Sequence, residues 1–103
     1  MLDISSDLVV FKALADSNRL RILDYLKKGK SCACDLSDNL GIPQTALSYH
    51  MRILCQVKLV KSEQVGKWKH YQLNDNANEQ LQSKIDKYFH SVNKLSSYQC
   101  KGV

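Results

Sequence analysis

The chain has 103 residues, 44% hydrophobic and 24% charged, with a formal net charge of +5. That length fits one domain spanning 1–103, and the mixture excludes a disordered chain. No apolar run approaches the roughly 18–20 residues that span a bilayer, and no secretory leader is read ahead of the first helix, so no membrane partner and a cytoplasmic location are expected.

In chain order, Leu8, Phe11, Leu14 and Ala15 recur at helical spacing and predict a first helix of about ten residues. Asp16-Ser17-Asn18 supplies N-cap chemistry for a second helix with Leu20, Leu23 and Leu26 on one face. Lys27-Lys28-Gly29 stops it. A third helix is predicted from about Ser31, carrying Leu36 and Leu40, and Gly41 ends it. Pro43 opens a fourth helix over about 43–56, which makes a helix-turn-helix pattern.

The fourth helix is two-sided. At about 100° per residue, Gln44, Thr45, Ser48, Tyr49 and Arg52 share one side, while Ala46, Leu47, His50, Ile53 and Leu54 share the other. The outer side is hydrogen-bonding and nearly uncharged, the chemistry that reads base edges and phosphates. His50 lies on the apolar side, so a buried, hydrogen-bonded histidine is expected.

A β-hairpin follows over about 59–73, with Gly66-Lys67 at its tip and Trp68 and Tyr71 expected to pack its base. Positive charge concentrates here. Residues 1–51 carry six basic and six acidic side chains, whereas Arg52, Lys58, Lys61, Lys67 and Lys69 face only Glu63 between 52 and 74. That is the footprint of a phosphate-contacting surface, with Lys67 and Lys69 as its wing contacts. A last helix over about 76–97 carries Leu81, Ile85, Phe89, Val92 and Leu95, a stripe longer than a small core covers. Pairing with the same helix of a second subunit accounts for it.

Four cysteines are present: Cys32, Cys34, Cys55 and Cys100. Without a secretory leader they are expected to stay reduced, and the Cys32/Cys34 spacing favours a soft ion over a disulfide. At a helix N-terminus the dipole lowers a thiol's pKa. Within a regular helix, however, residues i and i+2 point about 200° apart, so chelation calls for an irregular or unwound first turn. No nucleophile–base constellation, glycine-rich phosphate loop or paired acids suggests an enzyme.

The stretches Phe11 to Leu26 (FKALADSNRLRILDYL), Pro43 to Leu54 (PQTALSYHMRIL) and Gly66 to Leu73 (GKWKHYQL) resemble the ArsR/SmtB family of winged-helix repressors. With Cys32-Ala33-Cys34-Asp35-Leu36 they are most similar to its arsenic-responsive branch, and the resemblance covers nearly the whole chain. It implies a mainly α winged helix-turn-helix with a small β-hairpin (five helices and a two-stranded wing), and a homodimer joined through its terminal helices. It further implies repression of a metalloid-resistance or efflux operon at an inverted-repeat DNA site, relieved when As(III) or Sb(III) binds Cys32 and Cys34. No other cofactor is required.

Such an ion takes three soft donors, leaving Cys55, Cys100 or an exogenous thiol as the third. Where zinc-sensing relatives place their ligands, this chain has Asp75, Ala77, Tyr88 and Ser91, so that site is not expected. Val57-Lys58 stands where relatives carry a glycine-containing turn. The alternatives are a Cd(II)/Pb(II)-responsive or thiol-redox-responsive repressor of the same fold. The first kind of relative adds cysteines on an N-terminal arm, and none precedes Cys32; the second places a thiol on the second helix, which has none.

Overall fold

A computed structural model describes residues 3–90. Its elements are α1 (Ile4–Leu14), α2 (Ser17–Leu26), β1 (Ser31–Cys32), α3 (Ala33–Leu40), α4 (Gln44–Gln56), β2 (Val60–Val65), β3 (Trp68–Leu73) and α5 (Ala77–Phe89). The strands form one antiparallel sheet in the order β1-β3-β2. The hairpin expected from the sequence is therefore joined by a short third strand just ahead of α3. Of the expected last helix, Val92 and Leu95 lie outside the described residues, as does Cys100.

Local chemistry sets the boundaries. Asp16 caps α2 by accepting the Arg19 N–H at 3.1 Å, which satisfies one of the donors a helix start leaves open. Gly41 ends α3 in the left-handed region at φ 65°, and Ser37 Oγ donates to the Ile42 carbonyl at 2.6 Å. Pro43 is the N-cap of α4 and not its first helical residue. At the hairpin tip, Val65 faces Trp68 across Gly66-Lys67, and Gly66 alone of the two takes a positive φ, at 60°. That arrangement suits the right-handed twist of the flanking strands.

One apolar core holds these elements together: Ile22 and Leu26 of α2, Leu36 of α3, Ile42 of the turn after it, Leu47, Met51 and Leu54 of α4, and Leu59, Val60 and Tyr71. Truncating any of its leucines or isoleucines to alanine costs about 2–5 kcal/mol. Two apolar faces differ from those read in the sequence. Ile22 is fully buried while Leu20 is 51% exposed, and in α1 the buried face is Asp7, Val10 and Ala13, leaving Leu8 46% exposed.

Asp7 is only 2% exposed. It accepts from Lys87 at 2.8 Å and Lys84 at 3.3 Å, and from the Tyr88 hydroxyl at 2.6 Å. These contacts fasten α5 to α1 and lower the Asp7 carboxyl from 3.8 to about 2, the Lys87 and Tyr88 hydrogen bonds outweighing desolvation. A second special position is Lys58, which follows α4 with φ 64°. It is held there by its own N–H to the Cys55 carbonyl at 3.0 Å, by Asn74 Nδ2 on its carbonyl at 2.9 Å, and by the Leu59 N–H to Leu54 at 3.1 Å. A side chain at positive φ strains the backbone, and here nothing but glycine removes that strain.

Two outcomes follow from these contacts. Lys58→Gly should raise unfolding free energy by about 1 kcal/mol in urea titrations, since a left-handed non-glycine residue costs at least that much. Asp7→Asn should melt below the parent at neutral pH. Because the folded carboxyl titrates below its unfolded value, its contribution is present above pH 3.8 and is lost as pH falls toward about 2. The two melting curves should therefore converge over that window; a constant gap down to pH 2 would show that the carboxylate charge is not the source.

Candidate nucleic-acid interface and thiol site

Helix α4 presents two faces because Leu47, His50, Met51 and Leu54 are buried. The residues expected to meet DNA, Gln44, Thr45, Ser48, Tyr49 and Arg52, are all exposed on its other side. Lys67 and Lys69 are exposed on the hairpin. Between α4 and the hairpin runs a groove of about 480 Å³, bordered by Ser48, Arg52, Gln56, Ser62 and Lys69. Lys69 Nζ stands 6.0 Å over the Tyr71 ring, on the groove floor. Tyr71 packs as expected, at 6% exposure. Trp68 does not: it is 54% exposed, because the register places it at the tip opposite Val65 and far from the hairpin base.

A polar network sets the pose of α4. Arg19 donates to the carbonyls of Ala13 at 2.7 Å and Lys12 at 3.4 Å, which end α1, and lies 3.1 Å from His50 Nδ1. A guanidinium has only donors, so Nδ1 is the acceptor and the His50 proton sits on Nε2. Asp16 Oδ2 lies 3.9 Å from the same nitrogen. Thus the buried histidine read from the sequence ties α4 to the α1–α2 turn. The role of Arg19 was not read; a charged residue in a helix gives no periodic signal of burial.

Cys32 and Cys34 are half-buried. Cys32 lies outside α3, as the last residue of β1 and the N-cap of the helix, with extended φ −70° and ψ 146°. The helix expected from about Ser31 thus begins at Ala33, and the start is already irregular at Cys32, so the divergence of about 200° in a regular helix does not apply. Cys32 Sγ accepts the Cys34 N–H at 3.4 Å. The Cys34 thiol is raised, foremost by its hydrogen bond with the Cys32 side chain, then by burial and by Asp38 and Asp35. The dipole effect expected at a helix start is thus outweighed at this thiol.

Cys55 lies on the groove side of α4 and is also raised by burial. Among the described residues no three His, Cys, Asp or Glu side chains form a group able to hold a metal ion. Tyr88, at one of the positions compared with zinc-sensing relatives, is engaged by Asp7.

The family model described as "Bacterial regulatory protein, arsR family" matches residues 16–62, from the Asp16 cap through the helix-turn-helix into β2. The arsenical resistance operon repressor of Staphylococcus xylosus is 38% identical over 77 residues, covering 75% of this chain and 74% of that one. The chain belongs to the arsR family. The arsenical resistance operon repressor of Bacillus subtilis is 46% identical over 66 residues, 63% of each chain, so the match spans just under two thirds of that relative. The arsR-family fold is also seen in a homodimeric winged helix-turn-helix DNA-binding domain from Mycobacterium bovis. It has 24% identity and a TM-score of 0.69, covering 84% of this chain and 83% of that one.

Proposed function

We propose that this arsR-family chain is a homodimeric transcriptional repressor that binds an inverted-repeat operator of a metalloid-resistance or efflux operon and releases it when As(III) or Sb(III) binds Cys32 and Cys34. The observation that carries this reading is the juxtaposed thiol pair at the start of the helix-turn-helix, in a chain similar to two arsenical resistance operon repressors.

The uncharged donors and acceptors of Gln44, Thr45 and Ser48 suit base edges in the major groove, with Arg52 suited to guanine. Lys67 and Lys69 then lie against flanking phosphates. A second copy covers the apolar residues that α1 and α5 leave open: Ile4 at 62%, Leu8 at 46%, Ile85 at 45% and Phe89 at 83% exposure. Exposed side chains of this size, clustered on two helices, favour an interface over solvent. Two-fold symmetry in turn calls for two half-sites about one or two turns of DNA apart.

At the thiols, each S–As bond formed from arsenous acid moves the thiol proton onto a departing hydroxide, so one water leaves per bond and no electrons are transferred. Two sulfurs supply two of the three soft donors such an ion takes. Cys55, Cys100 or an added thiol supplies the third.

Fluorescence anisotropy on operator DNA tests both halves. Arg52→Ala should weaken binding by about 1–3 kcal/mol and relax base preference at one position, while Lys67→Ala and Lys69→Ala should each flatten the log–log salt dependence by about 1. Variants that leave salt dependence and sequence preference unchanged would rule out this face. In the same assay arsenite should release the parent but neither Cys32→Ser nor Cys34→Ser. Serine is itself a good N-cap, so Cys32→Ser should keep the fold and its operator affinity. Release of both variants at the parent's arsenite concentration would reject the thiol pair as the effector site.

A further inference from the structure

We propose that the thiol pair governs the wing directly, through strand β1, in addition to any effect on the helix-turn-helix; this rests on the effector reading above. Strand β1 has two residues, and Cys32 is one of them. Ser31 pairs with Tyr71 and Cys32 with His70, so β1 covers one edge of β3 while β2 covers the other along its whole length. Lys30, the residue before β1, reaches over β3 to Glu63 of β2 at 2.8 Å. The wing is therefore held midway along its ladder by the same three residues that lead into α3.

No spacer separates these duties. The extended backbone of Cys32 places its carbonyl and N–H in the β1 strand and its sulfur over the Cys34 N–H. When that sulfur is committed to an ion it no longer serves as the cap acceptor, and Cys32 must turn to share the ion with Cys34. The balance is two S–As bonds formed, two waters released, and no change of oxidation state. A turn at Cys32 shifts a strand only two residues long, the smallest ladder there is, whose partner is the central strand of the sheet. The route from thiol to wing is thus one cross-strand pair, Cys32 with His70. The route to α4 is longer, passing through Leu36 and the packed core. Two residues from His70, at the tip end of β3, stands Trp68, 54% exposed and the one tryptophan of the chain, with Lys67 beside it in the turn.

Hydrogen–deuterium exchange of the full chain without DNA, with and without sodium arsenite, tests the link, with near-ultraviolet sulfur–arsenic absorption recording occupancy. Exchange in residues 68–73 should rise about ten-fold, within the usual 5–150-fold range of coupling between sites, and Trp68 emission should change with the same midpoint. Cys32→Ser should abolish both changes. If arsenite absorption appears and operator is released while exchange in 68–73 stays fixed, the wing link is wrong and the effector reading stands. If no sulfur–arsenic absorption develops, both fall together.

Discussion

Helix α4 is held from one side only, and the rest of the molecule is arranged around that constraint. Leu47, Met51 and Leu54 sit in the core with Leu36, Leu59 and Tyr71, so the helix cannot roll without exposing large apolar surface. His50 adds direction to the burial. Its Nδ1 must meet Arg19, and a hydrogen bond tolerates far less displacement than a hydrophobic contact. With its inner face fixed, the helix leaves Gln44, Thr45, Ser48, Tyr49 and Arg52 outward, and the hairpin, packed through Tyr71, brings Lys69 to the other bank of the groove.

Much of this was legible in the sequence because it follows from period and punctuation. The two-sidedness of α4 is a 3.6-residue pattern, the hairpin is a strand signal broken by Gly66-Lys67, and Gly41 and Asp16 mark boundaries by their own conformational chemistry. What was not legible depends on partners distant in the chain. Strand β1 is two residues long, below any detectable period, and exists because β3 offers it an edge. Asp7 reads as a surface acid, yet it is buried because Lys84, Lys87 and Tyr88, some eighty residues on, surround it. Trp68 is exposed because the register, and not its aromatic character, sets its surroundings.

The thiols illustrate the same lesson in electrostatics. A helix start lowers a thiol's pKa in isolation, but Cys34 has a second sulfur beside it and Asp35 and Asp38 nearby, and these raise it. A raised thiol is a poorer free nucleophile and a poorer target for oxidation. Against a soft ion the disadvantage is smaller, because bond formation itself displaces the proton. The environment of Cys34 therefore disfavours a lone reactive thiolate.

The Asp7 cluster and the Arg19 network together explain how the two ends of the chain are made one body. Asp7 binds α5 to α1 by ionic contacts that are buried on the carboxylate side. Arg19 binds the end of α1 to α2 and, through His50, to α4. Each is a directional polar link, and the Asp7 link lies where the apolar packing is thin, since no residue of α5 is buried. Hydrophobic contact alone would let α1 slide against either neighbour at little cost, because one apolar surface replaces another. A carboxylate that must keep three donors, and a guanidinium that must keep two carbonyls and an imidazole, do not slide. The open apolar face of α1 and α5 and the outward face of α4 are consequently held in a fixed relation, which two copies need if their reading helices are to meet half-sites of fixed spacing.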